Sequence, residues 1–385
     1  MKRTLFVILG FALYVVASCV DPYNPPEIES SANFLVVDGI VDLADAETRI
    51  KLTHSQDLSE QGLPLPETGA QVSIEVENGP VFVLPEIAPG EYSASAISVD
   101  DGQKCLLRIR TASGSEYISE TVTAKFSPAI DSVTWTPRDN SLDFEVTTHD
   151  TEGRSRYYRW KTVETVMYHS AHHSALIWDP GVQAVRTRTP DEDIYYCWKT
   201  TPFGYIEVFS TNGLVEDAVV KHRVFRIPSN SWKLTLKYSI LVRQFAIDQN
   251  EFNFWTELRK NTESIGTIFD PQPTQVTGNV RSVNPSGPKA LGYFSVGRSV
   301  EKRIYVTRPE LPFPADGYER PFPSCSAFSI DTIFVMEYLN SNKSALLLNA
   351  VTQGPAVIGY RTADKHCIDC RIVHGGVNVR PDFWE

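Results

Sequence analysis

From Ala70 the chain alternates: Ala70, Val72, Ile74 and Val76 fall on one side, Asn78-Gly79 supplies a turn, and Val81 and Val83 resume the pattern. A period of two puts successive side chains on opposite faces of a pleated strand, so this stretch predicts a hairpin with one buried face. Pro89-Gly90-Glu91, Asp100-Asp101-Gly102 and Ser113-Gly114 then set turn residues about twelve apart, between β-rich runs such as Leu107 to Thr111 and Tyr117 to Thr123. Short strands at that spacing predict an immunoglobulin-like β-sandwich over residues 34–126, with Ser127-Pro128 as its exit.

The alternation continues in Ile130, Val133 and Trp135 and in Leu142, Phe144 and Val146. A larger β-rich domain is expected over 127–385, with a helical insertion and a C-terminal disulfide region. Composition agrees: 42% hydrophobic and 11% aromatic with only three Met favours strand formers over helix formers. The inserted helix is predicted from Asp248 as its cap, Glu251 as the returning member of a capping box, and Phe252, Trp255 and Leu258 on one face. Prolines at 309, 312, 314, 321 and 323 exclude a regular element there and predict a surface loop pinned by Cys325.

The first residues set the compartment. Lys2 and Arg3, the apolar run from Leu5 to Val16, and Ala17-Ser18 before Cys19 have the order of a lipoprotein signal over residues 1–18, with Cys19 as the lipidated residue. That run is shorter than the roughly 20 residues of a membrane span. Residues 19–33, with Pro22, Pro25 and Pro26 among acids and serines, predict an extended tether reaching roughly 40 Å from the membrane. The formal net charge is −11 and becomes more negative once Lys2 and Arg3 are removed. Such a surface repels phosphate backbones and argues against nucleic acid as a partner.

Export favours disulfides, and five cysteines remain besides Cys19. Cys105 shares a strand face with Leu107 and Ile109 and is expected to be a free, buried thiol. Cys197, Cys325, Cys367 and Cys370 allow three pairings. The preferred one has Cys325 join the Cys367/Cys370 pair with Cys197 as the other partner, and the sequence leaves all three open.

Candidate chemistry is sparse. His169, His172 and His173 can offer two or three imidazoles to a transition metal, against the three or four ligands a zinc site needs; an exposed polar loop is the favoured reading. His366-Cys367-Ile368-Asp369-Cys370 followed by His374 has knuckle-like and redox spacing, but in an exported chain a structural cross-link is favoured. Asp191, Glu192 and Asp193 lack the glycine and spaced oxygens of a calcium loop and read as a solvated turn. The aromatics Tyr157, Tyr158, Trp160, Tyr195, Tyr196 and Trp198 suit either a sugar- or peptide-binding surface or, more simply, sheet packing. No residue pattern marks a catalytic site, and no cofactor is implied.

Taken in order, a series of short motifs resembles one lipoprotein family of Bacteroidota, known only as DUF4249, a domain of unknown function. They are Val36-Val37-Asp38-Gly39, Tyr157-Tyr158-Arg159-Trp160 with Glu164, Cys197-Trp198, Tyr238-Ser239-Ile240 with Val242 and Gln244, and Phe252 with Trp255. Phe269-Asp270-Pro271-Gln272-Pro273, Gly278-Asn279, Gly292-Tyr293-Phe294, Lys302-Arg303, Cys367 with Cys370, and Pro381-Asp382-Phe383-Trp384 complete the series. Cys105 departs from it, standing where similar proteins more often carry an aromatic, which fits an unpaired thiol. The resemblance implies an outer-membrane lipoprotein associated with SusC-like TonB-dependent transporters, with no assigned catalytic residues. The expected function is therefore a noncatalytic accessory or ligand-capture partner of such a transporter, its small ligand unknown, exposed at the cell surface rather than on the periplasmic face. Two rivals are a secreted metal-dependent hydrolase built on the histidines and a surface adhesion or structural lipoprotein.

Overall fold

Gln71–Val76 and Val81–Leu84 form the predicted hairpin, with Glu75 opposite Val81 and Asn78 at a left-handed φ of 57° in the connection. The computed structural model describes residues 33–56, 62–263, 276–314, 317–319, 322, 324–342 and 344–385. The expected signal, Cys19 and the tether to residue 32 lie outside the described residues, as do Phe269-Asp270-Pro271-Gln272-Pro273, Pro321 and Pro323. The fold is mainly β, with two sandwiches and few helices.

In the first sandwich one sheet runs Lys125–Phe126, Ala290–Arg298, Leu35–Asp42, Glu47–His54, Glu91–Ser95, Glu86–Ala88. The facing sheet runs Val280–Ser282, Glu116–Ser119, Lys104–Arg110, Gln71–Val76, Val81–Leu84. Val72, Ile74, Leu107 and Ile109 pack against Val37, Ile50, Leu52 and Phe294 in its interior. The sandwich expected over 34–126 thus takes in two strands from 280–298. Ala290–Arg298 pairs in parallel with Leu35–Asp42 from Leu35 opposite Ala290 to Asp42 opposite Gly297. Parallel partners need no shared turn, so no local sequence pattern announces them.

Glycine is required where this inserted strand enters. A Cβ on Gly292 (φ +111°) would sit 1.9 Å from the Val37 carbonyl oxygen, and one on Gly278 (φ +83°) would sit 1.7 Å from that of Gly292. The Asn279 side chain then substitutes for a strand neighbour: its amide nitrogen donates to the Phe294 carbonyl (2.9 Å) and its amide oxygen accepts from the Phe294 N–H (2.8 Å).

The second sandwich packs Ile130–Arg138, Ser141–His149 and Ala218–Pro228 against a sheet ordered Tyr196–Pro202, Tyr157–His169, Lys237–Ile247, Val300–Thr307, with Glu207–Ser210 also beside Tyr157–His169. Leu142, Phe144 and Val146 meet Tyr158, Trp160, Tyr238 and Ile240 in its core. Polar side chains there are linked: Trp160 Nε1 donates to Gln244 Oε1 (2.9 Å), and Gln244 Nε2 donates to the Pro128 carbonyl and to Thr148 Oγ1, each at 3.0 Å. Beyond the last strand, Pro309 opens a single helical turn over Arg308–Glu310, and Leu311, Phe313, Tyr318 and Phe322 pack onto this core. A small sheet of Phe328–Asp331, Ala356–Asp364 and Ala345–Gln353 follows, then the short helices Lys365–Ile368 and Cys370–His374.

The two sandwiches are fastened at their junction. Asp42, only 6% exposed, accepts from the Ser299 N–H (3.0 Å), Ser299 Oγ (2.5 Å) and Arg243 Nη1 (3.3 Å). Its carboxylate grips the step between Ala290–Arg298 and Val300–Thr307, strands that belong to different sandwiches. The helix Gln249–Glu263, α1, bears on both: Phe252 and Trp255 pack with Phe245 and Ile247, while Phe254 stacks 4.9 Å from Tyr293. Asp248 caps it, accepting the Glu251 N–H at 2.8 Å. Glu251 does not serve as the expected box partner. Buried to 5% exposure, its carboxylate turns inward to accept from Trp255 Nε1 (3.0 Å) and to face Arg159 (3.9 Å).

Candidate functional site

A cavity of about 370 Å³ opens at the sandwich junction, and a second of about 420 Å³, lined by residues of the second sandwich, shares His149, Asp150, Thr151 and Glu152 with it as walls. Each lies within the size range of small-molecule sites, and the first sits at the kind of domain boundary where such sites concentrate. The first is bounded by Asp101 and Lys125 of the first sandwich, the connection 126–131, and the loop 149–155 of the second. The other is bounded by Arg156, Glu216, Asp217 and Ala218.

The loop has its shape because Asp150 fills it. Oδ1 accepts from the Glu152 N–H (2.9 Å), and Oδ2 accepts from those of Arg154 (2.9 Å) and Ser155 (2.8 Å). Burial alone raises a carboxyl pKa, but these three donors outweigh it and hold Asp150 below its ordinary value, ionised. Across the cleft Arg154 Nη1 reaches Asp101 Oδ2 at 2.7 Å and Lys125 Nζ donates to the Arg154 carbonyl at 3.3 Å, so both walls are joined at the rim. Asp101 is itself positioned by accepting the Phe126 N–H at 2.9 Å. His149 Nδ1 lies 2.6 Å from Asp131 Oδ2, and that carboxylate raises the imidazole pKa. The cleft is consequently lined by fixed charges of both signs and can orient a polar or zwitterionic ligand by charge-assisted hydrogen bonds.

Of these residues the sequence marks only Asp101, as part of the Asp100-Asp101-Gly102 turn and not as a binding residue. Lys125, Asp131 and His149 sit at the ends of three separate strands, and Arg154 follows a turn whose composition, Asp150-Thr151-Glu152-Gly153, is a local sign.

The residues singled out from the sequence fall elsewhere. Cys197 is bonded to Cys370 and Cys325 to Cys367, with Cα separations of 5.7 and 5.5 Å, so Cys197 and Cys325 each take one member of the Cys367/Cys370 pair. Closing such long loops stabilises the fold by about 5 kcal/mol for Cys197–Cys370 and about 4 kcal/mol for Cys325–Cys367 on a chain-entropy account. Cys105 is free and fully buried, and burial pushes its thiol up to about 11.

The three histidines do not gather around a point. His169 Nδ1 donates to the Ser170 carbonyl (2.6 Å) and its ring stacks 4.8 Å from Tyr195; His173 meets Tyr195 edge-on at 5.0 Å; the His172 N–H donates to the Cys367 carbonyl. Among the described residues the grouping of three possible ligand atoms is Cys325, His366 and Cys367, where the two sulfurs are already bonded to each other. Tyr158 and Trp160 are core residues, whereas Tyr195 and Tyr196 form a ring cluster with His169 and His173 near the surface. In the acidic run, Glu192 is spent on Arg186, pairing through both oxygens at 2.6 and 2.7 Å.

The fold and cleft define a mainly β protein of two sandwiches with a polar cleft at their junction. The chain belongs to the family described as Domain of unknown function (DUF4249), whose model matches residues 20–303. No curated protein matches it. Among solved structures, a DUF3823 family protein from Parabacteroides merdae aligns at 11% identity, covering 55% of this chain and 90% of that one, with a TM-score of 0.12.

Proposed function

We propose that this protein is a lipid-anchored, noncatalytic binding protein of the outer membrane, which holds a small polar ligand in the inter-sandwich cleft beside a TonB-dependent transporter. The observation that carries this reading is the cleft itself, where Asp150, Asp101 and the Asp131–His149 pair are fixed by hydrogen bonds before any ligand arrives. Preorganised polar groups lose little freedom on binding, the property a capture protein needs. The Cys19 sequence supplies the anchor, and two disulfides suit an oxidising compartment. Cell-surface exposure and a barrel of the SusC kind belong to the same proposal.

The test is affinity purification of the tagged, full-length protein from gently solubilised outer membranes, with mass spectrometry of whatever remains bound. A TonB-dependent barrel recovered in near-equal amount is the expected result. Recovery of the lipoprotein alone, together with no thermal shift from a panel of amino acids, short peptides and small sugars, would overturn it.

A further inference from the structure

The two disulfides differ in what surrounds them. Cys197 and Cys370 are both 0% exposed, so no reagent reaches that bond in the folded protein. In the other, Cys367 is buried at 2%, but Cys325 is half-buried and flanked by the exposed Ser324 and Ser326. Exposed His366 brings its Nε2 to 3.2 Å from Cys367 Sγ, on the inner side of the bond.

Thiol–disulfide exchange needs three things: an accessible sulfur, a nucleophilic thiolate, and a leaving sulfur whose thiolate is stabilised. Cys325 supplies the first. Cys367 supplies the third, because an imidazole N–H at hydrogen-bond distance favours a departing thiolate as an adjacent histidine does in reactive cysteine sites.

We propose that Cys325–Cys367 is a thiol-exchange site at which Cys325 accepts a soluble thiolate as a mixed disulfide. The incoming thiol gives its proton to solvent and its sulfur attacks Cys325 Sγ. The Cys325–Cys367 bond breaks, its electron pair stays on Cys367, and the new thiolate accepts a hydrogen bond from His366. Attack of Cys367 on the mixed disulfide expels the thiol and restores the starting bond, so the modification is reversible without an added oxidant. While it lasts, the segment leading from Arg308 to the small sheet is released from the Lys365–Ile368 helix, and Cys197–Cys370 still holds the neighbouring helix to Tyr196–Pro202.

The experiment treats the native full chain with reduced glutathione, quenches with acid, alkylates, and maps each cysteine by peptide mass spectrometry. Glutathione is expected on Cys325 and the alkylating agent on Cys367, with Cys197 and Cys370 still joined. His366→Gln, at an exposed position, should slow the reaction at least about threefold while leaving the unfolding midpoint unchanged. A parallel arm with a reduced thioredoxin separates the sources of thiol: reaction with glutathione alone assigns a small-thiol site, and reaction with thioredoxin a protein-dithiol site. Equal reaction at both disulfides, adduct on Cys367 rather than Cys325, an unchanged rate in His366→Gln, or no reaction in either arm would overturn the proposal.

Discussion

The guanidinium of Arg159 lies 4.5 Å from the ring of Trp255, with the Phe245 ring 4.7 Å away as a second partner. Arg159 projects from the outer face of the longest strand of the second sandwich and is 3% exposed, covered by α1. Burial lowers its pKa while the Glu251 carboxylate opposes that, and burial raises Glu251 while Arg159 opposes it. Each charge is tolerable because the other is there. Arg159→Met should therefore cost about 3–5 kcal/mol in urea unfolding, since it strands a buried carboxylate. Arg159→Met combined with Glu251→Leu should recover most of that loss; a double variant as unstable as the single one would show that the cation–π contacts dominate.

Gly292→Ala tests the insertion of the Ala290–Arg298 strand. A methyl group 1.9 Å from the Val37 carbonyl cannot be accommodated without moving the central pair of the first sheet. Loss of soluble protein, or destabilisation exceeding about 3 kcal/mol, is expected. Gly213→Ala, where a Cβ meets nothing within 4 Å, is the control and should leave the unfolding midpoint within about 0.5 kcal/mol of wild type.

Much of this architecture is legible in the sequence because period-two alternation is a local signal: the Gln71–Val76 hairpin, the Cys105 face and the Asp248 cap all follow from neighbouring residues. What is not legible depends on residues far apart. The Leu35–Asp42 and Ala290–Arg298 pairing leaves no turn to detect, and Glu251 satisfies the capping-box pattern yet is drawn inward by a cation on a distant strand. The cleft is hidden for the same reason, its charges lying at strand ends and in turns that are far apart in the chain. Several motifs that carry the family resemblance, among them Arg159, Gln244, Gly278-Asn279 and Gly292-Tyr293, prove to be residues that seat helix, strand and linker at the junction.

Acid should loosen the hairpin formed by Leu176–Asp179 and Ala184–Thr187. Glu192 is held down to about 2 from its ordinary 4.5 chiefly by its hydrogen bonds to Arg186, so the folded state binds that proton less readily than the unfolded chain. Its contribution is present above pH 4.5 and is lost as pH falls toward 2. Hydrogen-exchange protection factors of residues 176–192, rates taken relative to the unstructured chain at the same pH, should fall over that interval in wild type, and Arg186→Met should be less protected already at pH 6 with a flatter pH response.

Cys105 should be invisible to reagents in the folded protein. With its thiol pushed up to about 11 and no exposure, iodoacetamide at pH 8 should label it less than a tenth as fast as in urea. Cys105→Val should fold with a change within about 1.5 kcal/mol, because the site asks only for a small apolar side chain. Rapid labelling under native conditions would show that the first sandwich opens locally.

The route of the chain through the junction imposes an order of assembly on the nascent chain. Residues 35–126 emerge first, yet the strand that lies between Leu35–Asp42 and Lys125–Phe126 is Ala290–Arg298. Until that segment is delivered, Leu35–Asp42 is an unpaired edge of the first sheet, and Lys125–Phe126 lacks its neighbour. A growing chain must therefore wait, shielded from neighbours, while the second sandwich is delivered, and carriers that guard nascent β edges have longest to act on the part made earliest.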